Sequence, residues 1–141
     1  MFTHALLEHL ADPIAGLAEF RRVLKPGGLI GVRSGDMGGI LIDSESQRPA
    51  QGLATYLANR EKNYSGDIQV GRKLERLLRK AGFTLERNTA SYEVITESLL
   101  KIGPSLAAQF ATPGYCSLQE KADNAPLFVA LAWCEAIGRT Q

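Results

Sequence analysis

Residues 12–33 constrain this chain more than any other stretch, because a helix start, a helix stop and a strand follow one another directly. Asp12 precedes Pro13. Its carboxylate is placed to accept the first-turn N–H groups, and proline at the first helical position gives up an N–H that would be orphaned anyway. Ile14, Leu17, Ala18, Phe20, Val23 and Leu24 then follow helical spacing, with Glu19, Arg21 and Arg22 towards solvent. Lys25-Pro26-Gly27-Gly28 stops the helix: proline cannot continue it, and glycine tolerates left-handed dihedrals. Leu29-Ile30-Gly31-Val32-Arg33 is a short apolar run of the kind found in buried parallel strands. Helix, glycine turn and buried strand make half of a βαβ unit, so the expected class is α/β.

The remainder is read with the same signals. Ser34-Gly35-Asp36-Met37-Gly38-Gly39 reads as a flexible, polar loop following the strand. Residues 46–63 read as one helix with Pro49 near its start and Leu53, Tyr56, Leu57 and Arg60 spaced along it. A second amphipathic helix is expected over 70–80, with Val70, Leu74, Leu77 and Leu78 inward and Arg72, Lys73, Arg76, Arg79 and Lys80 outward. Gly82 is placed as its left-handed cap, and residues 83–89 alternate as a strand does. Residues 94–122 read as helical with a break at Gly103-Pro104. The tail 126–138 fits either a helix (Leu127, Leu131, Cys134, Ile137) or a buried strand (128–133), and periodicity does not decide between them.

Composition narrows the functional classes. With 141 residues, 45% hydrophobic and 22% charged, the chain suits a single globular domain spanning 1–141. A net charge of +1 offers no general attraction to nucleic acid or membrane. The basic run 72–80 is interrupted by Glu75 and lacks interleaved aromatics, so it reads as a solvated helix face. Cys116 and Cys134 make neither a metal spacing nor a disulfide framework and read as reduced, buried thiols. No metal site is expected. The first residues lack a basic signal-peptide region, and no apolar run reaches the roughly 18 residues of a membrane span. A cytoplasmic location is expected.

The string His4-Ala5-Leu6-Leu7-Glu8-His9-Leu10-Ala11-Asp12-Pro13, then the helix, then Arg22-Val23-Leu24-Lys25-Pro26-Gly27-Gly28, carries a resemblance. It closely resembles the middle of a class I S-adenosylmethionine-dependent methyltransferase of the small-molecule, UbiE-like (methyltransferase type 11) family. Residues 70–83, ending Ala81-Gly82-Phe83, are similar to that family's late helix and sixth strand. The resemblance implies a partial Rossmann-like sheet, its last three strands, with flanking helices, and it favours an antiparallel closing strand over 126–138. It also implies half a domain, with a glycine-rich cofactor loop, ahead of this segment. Only Met1, Phe2 and Thr3 precede it here, and the 14 glycines include no Gly-x-Gly. The expectation is therefore a truncated, carboxyl-terminal half whose cofactor site is incomplete and whose methyltransferase activity is lost.

The same resemblance implies S-adenosylmethionine as cofactor and a small molecule as methyl acceptor. Thr3, His4, Ala5 and Leu6, with His9 one turn on, would line the cofactor. Arg33, Ser34 and Asp36 would sit on the acceptor side. Each group has a plainer reading: the histidines terminate a strand and cap a helix, and the later three belong to a connecting loop. No general base is assigned. Trp133, with Tyr92, Phe110 and Tyr115, reads either as a small-molecule pocket or as core. A non-catalytic module is the alternative function, joining a second copy or a complementing chain through an exposed sheet edge.

Two hydrolase patterns fail on geometry. His4 and His9 are five apart, which puts them about 140° apart around a helix rather than on one zinc-binding face. Ser34 is displaced by one position from the Gly-x-Ser-x-Gly elbow, and no His follows His9 to serve it.

Overall fold

The structure, a computed structural model, describes residues 1–44, 48–63, 65–95 and 127–141. In chain order the elements are β1 (Phe2–His4), α1 (Pro13–Val23), β2 (Leu29–Ser44), α2 (Arg48–Asn63), α3 (Leu74–Lys80), β3 (Thr84–Val94) and β4 (Leu127–Arg139). Single 3-10 turns lie at Leu7–His9 and Gly71–Lys73. The described strands make one sheet in the order β1-β2-β4-β3. β1 and β2 run parallel, with Phe2 opposite Gly31 and His4 opposite Arg33, and α1 is their crossover. β4 runs antiparallel to both β2 and β3. The class is α/β, a partial Rossmann-like sheet with flanking helices, as expected. Alongside the three long strands, β1 adds a short fourth at the edge.

The helix start and stop behave as their chemistry requires. Asp12 Oδ1 accepts from the N–H groups of Ile14 and Ala15, each at 3.0 Å. Gly27 (φ 73°) and Gly82 (φ 85°) take the left-handed conformations that follow α1 and α3. The core lies on one face of the sheet. Leu17 from α1, Ile30 and Val32 from β2, and Val70, Leu74 and Leu78 from the α3 region are almost completely buried together. Each such aliphatic side chain contributes about 1.5–3 kcal/mol through its removal from water.

Three expectations change, and the alternative left open for the tail is decided. Residues 34–39 are not a loop: β2 continues to Ser44, paired with β4 from Ser34↔Cys134 to Ser44↔Leu127, with a register shift between Asp36 and Leu41. Their glycine-rich composition suits close packing, since a Cβ on Gly39 would lie 2.9 Å from the Cβ of Ala132. The helix expected over 70–80 begins as the 3-10 turn, and its α-helical part starts at Leu74. Gly71 explains why, because a Cβ there would lie 2.8 Å from the carbonyl oxygen of Gly35 and 2.9 Å from that of Ser34. The turn is pressed directly onto the β2 backbone.

β3 runs on to Val94, so Val94 ends a strand rather than opening a helix. The ambiguous tail is strand β4, central in the sheet. The helix start at 46–47 and the helical reading of 96–122, with Phe110, Tyr115 and Cys116, lie outside the described residues. Among the described residues no helix is long and apolar enough to cross a membrane.

Candidate functional site

In an open α/β sheet, ligands sit beyond the carboxyl ends of the parallel strands. Here that place is the end of β1 and the matching level of β2. The chain turns sharply there: Ala5 has φ 50°, the one positive φ at a non-glycine position among the described residues. Left-handed backbone costs an L-residue about 1–2 kcal/mol. Its N–H donates to the carbonyl oxygen of Arg33 at 3.0 Å, which pins the turn to β2. The 3-10 turn Leu7–His9 follows at once, burying Leu7 and Glu8 while His9 stays exposed.

Strand alternation divides the predicted site residues between two faces. Thr3, Ser34 and Asp36 share the helix-covered face and are buried. Asp36 accepts two bonds from Arg72, Nε to Oδ2 at 2.7 Å and Nη2 to Oδ1 at 2.9 Å. That contact raises the Arg72 pKa above its ordinary value, the hydrogen bonds contributing most. Cys134 lies on the same face, and burial pushes its thiol pKa up, with the Asp36 charge adding to the effect. It is a poor nucleophile there.

His4 and Arg33 face the other way and meet Trp133. The Arg33 guanidinium carbon lies 4.2 Å above the indole centroid. The His4 ring lies 5.0 Å from the indole, tilted by 59°. Arg33 donates through Nε to Glu135 Oε1 at 3.1 Å, and its Nη1 is 3.0 Å from His4 Nε2. Its Nη2 is 3.5 Å from Glu93 Oε2. Glu135 also accepts from the hydroxyls of Thr89 and Ser91, each at 3.3 Å. One cation and two carboxylates from β2, β3 and β4, joined by His4 of β1, thus gather beside an aromatic ring.

Glu8 borders this cluster. It is only 8% exposed, and Oε2 has no hydrogen-bond partner among the described residues. The indole Nε1 of Trp133 and the Oγ of Ser34 are buried without partners in the same sense. A Cβ built on Gly35 would lie 3.7 Å from Met37 Cε, 3.8 Å from Trp133 Cζ3 and 3.9 Å from Glu8 Oε1. The glycine therefore leaves a methyl-sized gap between a thioether, an indole edge and a carboxylate. A separate hollow of about 320 Å³, lined by Ala18, Arg21, Arg22, Leu24, Pro26, Ala81, Thr140 and Gln141, lies at the opposite end of the sheet and includes none of these groups.

Of the residues singled out in the sequence, the fold brings His4 and Arg33 together, sets Ala5 as the turn, and sends Thr3, Ser34 and Asp36 to the far face. Sequence reasoning missed Glu8, Glu93, Glu135 and Arg72. The signal existed: once 127–139 is a strand, alternation puts Trp133 and Glu135 on one face, and antiparallel register sets them beside Arg33.

No family model matches the chain. An uncharacterised 37.1 kDa protein in transposon Tn4556 of Streptomyces fradiae is 34% identical over 83 residues, which are 59% of this chain and 23% of that protein. Among solved structures, a protein of Bacillus halodurans C-125 assigned as a methyltransferase aligns with a TM-score of 0.54 and 15% identity, over 99% of this chain and 68% of its own. The [4+2]-cyclase SpnF aligns with a TM-score of 0.51 and 19% identity, over 99% of this chain and 48% of its own. The chain thus spans about a quarter of the Streptomyces relative and about half of the cyclase. At these identities the likeness is one of fold: the architecture is that of the Rossmann-like methyltransferases.

Proposed function

We propose that this chain is the carboxyl-terminal part of a class I S-adenosylmethionine-dependent methyltransferase of the UbiE-like, type 11 branch, acting on a small molecule. The observation that carries this reading is the site at the end of β1. The chain leaves the parallel pair through a left-handed Ala5 and buries Glu8, whose Oε2 has no hydrogen-bond partner among the described residues, and His4 and Arg33 converge on Trp133 at the level where such sheets hold ligands. The sheet order, a parallel pair closed by an antiparallel β4, agrees with it.

The cofactor, when bound, supplies an electrophilic methyl group, so a protein need do little beyond positioning. The residues present fit one wall of such a site. No Gly-x-Gly occurs in the sequence, so the family's glycine loop is not built from these residues. What they can do is orient and shield. Arg33 and His4 fix the indole plane, Glu8 offers a carboxylate, and the Leu7–His9 turn covers the strand end. On this reading the chain by itself does not turn over.

The fold alone does not fix the reaction, because SpnF, of the same architecture, is described as a [4+2]-cyclase. A second reading is a non-catalytic module that pairs with a second copy or a complementing chain. It is favoured by β1 lying at the sheet edge with Met1 50% and Phe2 68% exposed. Calorimetric titration of S-adenosylmethionine, and of its demethylated product, into the folded chain separates the two. Micromolar binding supports a methyltransferase site in this polypeptide. Absence of binding at millimolar ligand rejects a cofactor site here and leaves the module reading.

A further inference from the structure

We propose that β3 pairs edge to edge with β3 of a second copy of this chain, antiparallel about a two-fold axis at Ala90. β3 ends the sheet order, with β4 as its one neighbour among the described strands. All of its residues but Leu85 and Thr89 are exposed. Which of its backbone groups are left over follows from the ladder. Ile95 donates its N–H to the carbonyl oxygen of Val129 at 2.8 Å, and Val94 stands opposite Ala130. Ladder bonds alternate along an antiparallel strand, so the odd-numbered residues from Ile95 back to Arg87 turn their N–H and C=O groups to β4. Asn88, Ala90, Tyr92 and Val94 turn theirs outward. Such a row is a template for another strand, and the usual blocks are missing: residues 84–94 hold no Pro or Lys, and 88–92 carry no charge.

The edge is complementary to itself, which is why the partner is a second copy. Outward residues must face outward residues, and that leaves few registers. Centred on Ala90, the pairing sets Asn88 opposite the partner's Tyr92, Thr89 opposite the partner's Ser91, and Arg87 opposite the partner's Glu93. Opposite charges and paired hydroxyls directly across a ladder stabilise it. Moving the centre to Thr89 or Ser91 sets Arg87 against Ser91 or Ile95 instead, and the charge pairs are lost. Arg87 and Glu93 share a sheet face, since they stand opposite Ile137 and Leu131 of β4. Both are available: Arg87 has no ion pair among the described residues. The Glu93 side chain is 49% exposed and reaches Arg33 Nη2 only at 3.5 Å. The charges beside them are paired within the chain, Glu86 with Arg139 and Glu135 with Arg33. The contact is isologous and closes at two copies, joining two four-stranded sheets into one. It rests on neither reading of function given above, and it uses the edge opposite β1.

One strand pair buries less than the roughly 1,200 Å² of a standard interface, so the association is weak, with a Kd on the order of 100 μM. Sedimentation equilibrium of the full chain, from about tenfold below that value to about tenfold above it, should show monomer and dimer in exchange. Ala90→Pro removes an outward N–H and leaves the β4 ladder intact, so it should fold as the parent does and dimerise at least about tenfold more weakly. Arg87→Glu sets like charges across the pairing and should weaken it by a similar factor. Adding Glu93→Arg to that variant should recover the loss. The register is read by crosslinking in a Cys116→Ser, Cys134→Ser background. Hydrogen-bonded antiparallel partners stand about 5.5 Å apart at Cα, inside disulfide range, so Ala90→Cys should join two chains on mild oxidation. Asn88→Cys should not, because Asn88 faces the partner's Tyr92. The crosslink carries the test if another substitution disturbs the fold. A chain that stays monomeric throughout, a dimer that folded Ala90→Pro leaves intact, or crosslinking through Asn88→Cys in preference to Ala90→Cys would overturn the proposal.

Discussion

Arg72 holds Asp36 with two hydrogen bonds, 2.7 and 2.9 Å long, and by doing so ties the turn before α3 to the middle of β2. The two ends differ in burial: the Asp36 side chain is 8% exposed and that of Arg72 47%. The pair is therefore partly screened on the arginine side and unscreened on the other. Removing the arginine leaves the aspartate charge inside with the Gly38 N–H, at 3.2 Å, as its remaining donor among the described residues.

Arg72→Met is expected to destabilise the fold by about 1–3 kcal/mol, less than a fully buried pair would lose. Urea denaturation of the variant beside the parent measures it. A midpoint equal to the parent's would show that the bidentate contact holds nothing in place.

Leu17→Asp and Val32→Asp each place a charge where exposure is 0% and 1%. Each should cost more than about 3 kcal/mol, from lost burial together with an unpaired buried charge, and leave little folded protein. Circular dichroism melts check this. Two variants that melt as the parent does would mean that α1 and β2 are wrongly placed against each other.

Gly71→Ala tests the contact that sets the start of the 3-10 turn. The new methyl would meet two β2 carbonyl oxygens at 2.8 and 2.9 Å, and backbone atoms yield less readily than a side-chain end. A loss of about 1–3 kcal/mol is expected. An alanine variant as stable as the parent would show that the turn stands further from β2.

The thiol of Cys134 gives a pH dependence with a definite sign. Burial raises its pKa from the ordinary 9.0, so the folded chain holds the proton more tightly than the unfolded one. Its contribution to stability is complete below 9.0 and is lost as pH rises towards the folded value. In a Cys116→Ser background, Cys134 should alkylate more slowly in mild alkali than the same thiol in the urea-unfolded chain. Equal rates would contradict the partial burial of Cys134, which is less complete than the sequence led one to expect.

Much of this was legible in the residues. Asp12-Pro13 and Lys25-Pro26-Gly27-Gly28 marked α1 and its end, and the period of Val70, Leu74, Leu77 and Leu78 marked the buried side of α3. The extension of β2 past Arg33 was hidden because its glycines and Ser34 and Asp36 imitate a loop. What makes them a strand is β4, nearly a hundred positions later, and no local signal reports a distant partner. The site was half legible for the same reason. His4 and Arg33 came from a local motif, but Trp133, Glu135 and Glu93 join them only through register. Glu8 stood inside the quoted motif, yet its burial is a property of the turn at Ala5, which composition does not announce.

The central position of β4 has a consequence in time. Leu29 pairs with Arg139 and Thr84 with the same residue, so neither β2 nor β3 has its principal neighbour until residues 127–139 have been synthesised. On a ribosome making about 5–20 residues per second, β2 would wait on the order of several seconds for β4, with the three residues of β1 as its other neighbour among the described strands. Pairing across such sequence separations is slow to nucleate. The nascent chain thus meets its greatest hazard of mispairing before its last strand leaves the exit tunnel, and it is then that a chaperone would be needed.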